Sequence, residues 1–255
     1  MTEHVSRLDW LDAASAMAPA SVDFLYVDPP FNTGARKRTP PGAARAGRVI
    51  DASYTDAFGT TAAFLDWLTP RVRESLRAMK PSANLAIHVD WRTSHRVRVM
   101  LDALLGEDRF VNHLIWSYGL GGSGPRCFAR KHDDILVYCV DPVRAYFAPP
   151  MVPARSNRLR GKLKKATDVL DIPALNNMAR ERTGYPTQKP LALLEMLVGA
   201  FAPPAGVVWD PCCGSGTALV AAARLGRTAV GGDLSPQAVR LARERLASDE
   251  ARPTG

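Results

Sequence analysis

A short turn places an acid and an aromatic ring directly after an apolar run. Asp28, Pro29, Pro30 and Phe31 follow residues 24–27, whose composition is typical of a buried strand. Because the two prolines restrict the backbone, the carboxylate and the ring project from one rigid turn. Such a pair suits a flat ring that bears an amino group, since the acid accepts a hydrogen bond while the aromatic side chain stacks. A rigid loop without chemistry is the alternative for this turn taken alone.

A glycine-rich turn near the other end of the chain is the second candidate. Residues 210–217, Asp-Pro-Cys-Cys-Gly-Ser-Gly-Thr, connect an expected strand to an expected helix, where open α/β sheets bind ligands. Gly214 and Gly216 would let the backbone approach a ligand closely, although a packing role for both stays open. The turn lacks the third glycine of a dinucleotide fingerprint and the Gly-Lys-Ser/Thr ending of a triphosphate-binding loop. Asp233, which ends the next expected strand, is suited to bind ribose hydroxyls.

Three motifs together resemble the signatures of DNA amino-methyltransferases that use S-adenosylmethionine. They are Asp-Pro-Pro-Phe-Asn-Thr-Gly at 28–34, Tyr-Pro-Thr-Gln-Lys-Pro at 185–190, and the glycine-rich turn at 210–217. Their order, with the target-base motif first and the cofactor motif last, is similar to the circularly permuted β group of that family. The likeness runs through nearly the whole chain and is weakest from 141 to 182.

The resemblance implies a cofactor site and a catalytic site. The residues expected to bind the cofactor are Asp9, Asp28, Thr187, Lys189, Asp210, Cys212, Gly214, Gly216, Thr217 and Asp233. The catalytic residues are expected to be Asp28, Pro29, Pro30 and Phe31. Family members commonly carry an aromatic residue where this chain has Cys212, and that difference bears on how tightly the cofactor is held.

The resemblance also implies how the target base is engaged. Asp28 and the carbonyl of Pro29 would accept hydrogen bonds from the two N–H groups of an exocyclic amine. The base would leave the duplex by flipping, and Phe31 would stack on it. Trp116 or Tyr118 could cover its opposite face, with buried packing favoured for Trp116.

The charge of the chain predicts a polyanionic partner. The net charge is +8 and the isoelectric point about 9.6, and the excess of basic residues is clustered. The residues expected to bind duplex DNA are Arg36, Lys37, Arg126, Arg130, Lys131, Arg155, Arg158 and Arg160. Phosphate contacts would supply affinity, while Asn157 and its neighbouring arginines would be suited to read base edges. A solvated basic face is the alternative.

The elements that must position these motifs follow from hydrophobic periodicity. Strands are expected at 5–9, 22–27, 85–89, 111–118, 135–140, 207–210 and 228–233, and helices at 10–17, 61–79, 94–105, 191–201, 217–225 and 235–246. This alternation predicts an α/β fold with a doubly wound, mostly parallel sheet in a single domain, 1–255. Residues 34–59 are expected to form a long loop, and 141–182 a DNA-recognition insert.

Composition narrows the class of protein. Four cysteines without paired spacing favour neither a metal site nor a disulfide framework. No apolar run is long enough to span a membrane, and no secretory signal is visible, so we expect a cytoplasmic protein.

The leading hypothesis is an adenine N6 methyltransferase on duplex DNA, because Asp28 resembles adenine-type members, whereas cytosine N4 enzymes more often carry serine there. The alternatives are a cytosine N4 enzyme, an RNA methyltransferase and a non-catalytic DNA-binding subunit. The sequence leaves open a homodimer and a partner nuclease in a restriction-modification system.

Overall fold

The helices and strands alternate along the chain. The computed structural model describes residues 4–38, 53–119, 124–154, 161–176 and 179–250. The helices are α1 (Trp10–Ala16), α2 (Thr61–Ala78), α3 (Ser94–Leu105), α4 (Leu191–Phe201), α5 (Thr217–Arg224) and α6 (Pro236–Glu250). The strands are β1 (His4–Ser6), β2 (Val22–Val27), β3 (Ala35–Arg38), β4 (Ser53–Asp56), β5 (Met79–Val89), β6 (Phe110–Ser117), β7 (His132–Cys139), β8 (Met151–Pro153), β9 (Leu163–Lys165), β10 (Val169–Asp171), β11 (Val207–Asp210) and β12 (Thr228–Gly232).

Eight strands form the central sheet, in the order β1-β12-β11-β2-β5-β7-β6-β10. The first five are parallel to one another, and β10 is parallel to β6. Strand β7 is antiparallel to both of its neighbours, and the described residues between β6 and β7 contain no crossover helix. The predicted α/β fold with a mostly parallel sheet is therefore confirmed, with β7 as the exception.

The chain leaves the middle of this sheet in opposite directions. Strand β11 continues through α5 to β12 on one side, while β2 continues through α2 to β5 on the other. Because β11 and β2 are neighbours, their carboxyl ends open a crevice at the switch point of the topology. The turn that holds the predicted catalytic residues 28–31, here named the catalytic turn, follows β2, and the glycine-rich turn follows β11. Both predicted motifs therefore open into this crevice.

Helices cover both faces of the sheet. The helices α4, α5 and α6 pack on one face together with Phe24 and Tyr26, and α1, α2 and α3 pack on the other with Leu25 and Val27. All six residues of β2 are buried, as expected for a strand covered on both faces. Each buried large apolar side chain of β2 contributes about 1.5–3 kcal/mol to the free energy of unfolding. The strand that leads into the catalytic turn is therefore firmly held.

The expected loop at 34–59 contains a short antiparallel pair. Strands β3 and β4 pair with each other and form a separate two-stranded sheet, so the prediction of a loop was wrong for these residues. Backbone hydrogen bonds hold the pair rather than an alternating apolar pattern, and periodicity cannot detect such a pair. Residues 39–52 of the expected loop lie outside the described residues.

Part of the expected recognition insert belongs to the central sheet. Strand β10 pairs with β6, and Leu170 within it is buried. The indole of Trp116 donates a hydrogen bond to the carbonyl of Ile172 at 2.8 Å. Strands β8 and β9 form a separate antiparallel pair within the same segment. A role for 141–182 in recognition stays a prediction, but residues 169–171 complete the sheet.

None of the described helices has the length and apolar character that crossing a membrane requires.

Candidate active site

A cavity of about 330 Å³ opens at the carboxyl ends of β2 and β11. All four predicted catalytic residues line it. So do the predicted cofactor-binding residues Asp9, Asp28, Thr187, Lys189, Asp210, Cys212, Gly214, Thr217 and Asp233. Gly216 does not belong to the lining. The structure therefore joins in one cavity two motifs that lie far apart in the sequence.

The carboxylate of Asp28 is held by a buried lysine. The ammonium of Lys189 donates to both carboxylate oxygens of Asp28 at 2.8 Å, and Lys189 is only 8% exposed. The same ammonium lies 4.8 Å from the centre of the Phe31 ring. The resemblance assigned Lys189 to the cofactor, and the structure pairs it with the Asp28 carboxylate in the lining of the same cavity. Its contact with the cofactor stays a prediction.

The loop before α4 delivers this lysine. Gln188 accepts hydrogen bonds at 2.8 Å from both the backbone N–H and the hydroxyl of Thr183, and donates to the carbonyl of Glu181 at 2.8 Å. The Glu181 carboxylate in turn accepts the N–H of Leu191 at the start of α4. These bonds fix the loop to the start of α4 and so hold Lys189 in position to bond with Asp28.

A buried aspartate anchors the chain beyond the catalytic turn. Asp56 is 1% exposed, and its carboxylate accepts the backbone N–H of Asn32 and the hydroxyl of Thr33, both at 2.6 Å. The Asn32 side chain accepts the N–H of Phe58 at 2.9 Å. Sequence reasoning missed Asp56, because it lies in a polar stretch that offers no periodic signal.

The glycine-rich turn is built around two aspartates. Asp210 accepts the N–H of Cys212 at 3.1 Å, and Asp233 accepts the N–H groups of Gly214 and Ser235 at 2.9 and 2.8 Å. Gly214 has a φ of +49°, and a Cβ there would lie 3.0 Å from the Tyr185 ring. Gly214 thus lets the backbone pass close beneath the Tyr185 loop.

Gly216 is closely packed, and a role for it in cofactor binding stays a prediction. Its φ is +75° at the start of α5, and a Cβ there would lie 2.7 Å from the Cβ of Ala242 on α6. The packing alternative left open by the sequence therefore fits Gly216, while Gly214 borders the cavity.

The cavity lining holds more acidic than basic side chains. Burial raises the pKa of the Asp210 carboxyl well above its usual range, and the charges of Asp28 and Asp233 raise it further. Burial also raises the pKa of Asp233, although two backbone N–H groups oppose that rise. Lys189 is the only basic side chain among the described residues of the lining. Such a set of carboxylates favours a ligand with positive charge.

Aromatic side chains form one wall of the cavity. Trp10 and Trp67 both line it, with ring centres 6.0 Å apart. Cys212 packs partly buried against the same hydrophobic cluster, and burial raises the pKa of its thiol well above the usual range. The tryptophans supply aromatic surface near the position where the sequence indicated its loss.

Asp9 lies in the lining but is already engaged. Its carboxylate accepts the N–H of Leu11 at 2.8 Å, which caps α1, and two hydrogen bonds at 2.9 Å from the guanidinium of Arg71. A ligand that bonds to Asp9 must therefore share its carboxylate with Leu11 and Arg71.

A buried polar network lies beneath Phe31. His88 is fully buried and hydrogen-bonds with the Tyr26 hydroxyl at 2.9 Å and with the Asp133 carboxylate at 3.3 Å. Its ring lies 5.8 Å from the ring of Phe31. Burial opposes the charge on Asp133, yet the hydrogen bond and charge of His88 hold the pKa of Asp133 below its usual value.

The two aromatic candidates for the opposite face of a base differ in burial. Trp116 is 4% exposed and packs 5.6 Å from the His88 ring, in the packing role that the sequence favoured. Tyr118 is less buried, and its hydroxyl contacts Asp133 at 3.4 Å. Burial, with the charge of Asp133, raises the pKa of Tyr118 to about 12. The one signal for this network was a histidine inside an apolar strand, and sequence reasoning left it unused.

The predicted DNA-binding residues fall into three groups. Arg126, Arg130 and Lys131 lie between β6 and β7, at the edge of the sheet that carries the catalytic turn. Arg36 and Lys37 belong to β3. Arg155, Arg158 and Arg160, with Asn157, lie outside the described residues. Within the described part of the chain, no three His, Cys, Asp or Glu side chains are grouped so as to hold a metal ion.

Known proteins resemble this chain in sequence, and a solved structure resembles it in fold. The chain is 26% identical over 235 residues to the type II methyltransferase M.HpaI of Haemophilus parainfluenzae, covering 90% of this chain and 69% of that protein. It is 24% identical over 242 residues to the DNA adenine methyltransferase YhdJ of Escherichia coli K12, covering 89% of this chain and 76% of YhdJ. The solved PvuII DNA methyltransferase, which is cytosine-N4-specific, has the same fold, with a TM-score of 0.68, 14% identity and coverage of 99% and 93%.

A family model described as DNA methylase matches residues 22–244, a span that includes both turns of the cavity. The expected family and its cofactor are thereby confirmed. The chain belongs to the DNA methylase family of N6-adenine and N4-cytosine methyltransferases, and its cofactor is S-adenosylmethionine.

Proposed function

We propose that this protein methylates the exocyclic N6 amine of adenine in duplex DNA. The observation that carries the proposal is the carboxylate of Asp28, which directly follows β2 and lines the same cavity as the glycine-rich turn after β11. Cofactor and target amine would thus meet at the switch point of the sheet.

The cavity fits the cofactor through the chemistry of its donors. S-adenosylmethionine supplies an electrophilic methyl group on a positively charged sulfur. The residues that would hold it are Asp9, Thr187, Lys189, Asp210, Cys212, Gly214, Thr217 and Asp233, all of which line the cavity. The fit rests on the buried carboxyl of Asp210 and the partly buried carboxyl of Asp233, which form no ion pair with the described residues. It rests also on the aromatic wall of Trp10 and Trp67 and on the backbone of Gly214, which carries no side chain to block a ligand.

Asp28 would act on the amine of the base. The lone pair of an exocyclic amine is delocalised into the ring, so the amine is a poor nucleophile. A carboxylate that accepts one N–H, with the Pro29 carbonyl accepting the other, localises that lone pair and stabilises the positive charge that develops on nitrogen. Two hydrogen bonds from Lys189 orient the Asp28 carboxylate. Fixed positioning of the reactants accounts for much of the remaining acceleration.

Phe31 would hold the flipped base. An amine that is engaged in base pairing cannot reach Asp28, so the base must leave the stack. The ring of Phe31 lies over the buried His88, which in turn is bonded to Tyr26 and Asp133. Because Phe31 packs on this hydrogen-bonded network, its ring loses little conformational freedom when the base stacks on it. This favours binding of the flipped base.

The choice of adenine rests on Asp28 and on one relative. Asp at this position resembles adenine-type members, and YhdJ, a DNA adenine methyltransferase, matches this chain over 89% of its length. The PvuII enzyme has the same fold and is cytosine-N4-specific, so fold alone does not favour adenine. Cytosine N4 is therefore the second candidate.

One experiment tests base and substrate together. DNA and RNA are recovered from a methylation-deficient host that expresses the chain, and their nucleosides are analysed by mass spectrometry alongside methylation-sensitive sequencing. We expect N6-methyladenine in DNA at one short sequence. N4-methylcytosine instead would overturn the choice of base, methylation confined to RNA would overturn the DNA substrate, and no methylation despite DNA binding would leave a non-catalytic subunit.

Cofactor binding should release protons and tighten as pH rises. In the free protein the pKa values of Asp210 and Asp233 are raised, so below those raised values both carboxyls hold protons. A cationic ligand favours the ionised carboxylates, so protons leave as it binds, and affinity grows until both groups ionise unaided. Calorimetry in two buffers of different ionisation enthalpy measures this release.

The Asp210→Asn variant is the control for that measurement. It removes the carboxyl whose pKa is raised further, so fewer protons should be released on cofactor binding. The cofactor affinity should then depend less on pH. Equal heats in the two buffers for the unsubstituted protein, throughout the range below neutral pH, would contradict the expectation.

A further inference from the structure

An exposed tryptophan makes cation–π contacts with two arginine side chains. Trp91 is 39% exposed and lies in the turn between β5 and α3. The guanidinium carbon of Arg130 lies 3.9 Å from the centre of its ring, and that of Arg92 lies 5.0 Å away. Large aromatic side chains are costly to expose to water, so this stack calls for an explanation.

The stack lies on the edge of the sheet that carries the catalytic turn. Strand β5 pairs in parallel with β2, so Trp91 follows β5 at the edge where Asp28 follows β2. Arg130 precedes β7, whose first residues pair with the end of β5, as Val89 does with Asp134. A duplex that presents a base to Asp28 must pass over this edge.

The two arginines differ in their charge balance. Arg92 forms an ion pair with Asp90, which is 5% exposed. Arg130 is exposed, and within the described ranges it makes no ion pair. Its positive charge is therefore available, while the aromatic ring restrains a side chain that would otherwise sample many rotamers.

We propose that Trp91 is a positioning residue that holds Arg130 ready for a phosphate of the DNA beside the target base. This inference rests on the proposed function, since it requires DNA in the active site. A planar guanidinium matches phosphate in a bidentate manner, and phosphate contacts fix the register of a protein on the duplex. Ordering Arg130 before binding lowers the entropy that the contact costs.

Equilibrium binding to a mixed-sequence DNA duplex at several salt concentrations tests the inference. Arg130→Ala should lower the slope of log affinity against log salt by about 0.9, as expected for one lost phosphate contact. Trp91→Ala should raise the Kd about threefold, a typical effect for an exposed cation–π pair. Trp91→Phe should retain most of the affinity, because phenylalanine keeps an aromatic face.

A double-mutant cycle separates positioning from direct stacking. If Trp91 acts through Arg130, Trp91→Ala should cost clearly less in the Arg130→Ala background than in the unsubstituted protein. Additive losses would mean that Trp91 acts independently of Arg130 and would overturn the proposal, as would unchanged binding by Trp91→Ala. The matched control is Arg144→Ala, which removes an exposed arginine after β7, at the opposite edge of the sheet.

Two further measurements keep this inference separate from the proposed function. Cofactor affinity should be unchanged in Trp91→Ala, and a loss there would show that the substitution damages the cavity, against the proposal. If the unsubstituted protein transfers methyl groups while Trp91→Ala binds DNA normally, only the positioning role fails. If it binds DNA through Arg130 and transfers nothing, only the enzymatic proposal fails.

Discussion

Replacing Asp28 with asparagine should lower the rate of methyl transfer by at least about a hundredfold, the usual cost of losing a group that stabilises developing charge. Asparagine keeps the size of the side chain but removes the negative charge that localises the lone pair of the amine. Its amide would also direct N–H groups toward an amine that itself must donate. Single-turnover transfer of a labelled methyl group measures the effect.

The same substitution should leave cofactor binding largely intact. The substitution removes one negative charge from the cavity, which disfavours a cationic ligand. It also removes a charge that raises the pKa of Asp210, so Asp210 ionises more readily and offsets that loss. Equal losses of transfer and of cofactor affinity would show that the turn is structural. Asp66→Asn, which neutralises an exposed acid on α2, is the matched control and should change neither quantity.

Asp28→Asn also leaves the buried Lys189 without its charged partner. A second substitution, at Lys189, separates this effect from the loss of the carboxylate. Lys189 is 8% exposed and loses its charged partner in that variant, which lowers the free energy of unfolding. Adding Lys189→Met should recover stability without recovering transfer. Recovery of both would mean that the unpaired lysine, and not the lost carboxylate, caused the loss of activity.

Local patterns were sufficient to predict most elements and both turns. Helices α3 and α4 begin and end where periodicity and the flanking Gly106 and Pro190 indicated. The buried runs of β2 and β11 predicted strand ends, and the rule for parallel sheets placed both turns at one edge. Here sequence and fold agree because each signal lies within a few residues of the feature it predicts.

Contacts between distant segments could not be predicted in this way. The pairing of Lys189 with Asp28, the anchoring of Asn32 by Asp56 and the bond of His88 to Asp133 each join side chains whose spacing follows no period. Such contacts depend on how layers of the fold meet in space. The antiparallel direction of β7 likewise depends on its pairing with β5 and β6, which no local pattern encodes.

The two ends of α5 offer a test of what Gly216 does. Gly216 begins the helix with a φ of +75°, and Gly226 follows it with a φ of +69°. An added Cβ at Gly216 would lie 2.7 Å from the Cβ and 3.0 Å from the Cα of Ala242, whereas at Gly226 it would meet nothing within 4 Å. The two sites thus share backbone strain and differ in packing.

Gly216→Ala should therefore destabilise the protein more than Gly226→Ala. The left-handed backbone costs either variant about 1–2 kcal/mol. Overpacking against α6 should cost Gly216→Ala about 1–3 kcal/mol more. Denaturant unfolding measures both, and equal losses would contradict a packing role for Gly216. Adding Ala242→Gly to Gly216→Ala should recover part of the difference. Because residues 210–217 lead directly into this helix, the unrelieved variant should also bind cofactor more weakly, whereas Gly226→Ala should bind it normally.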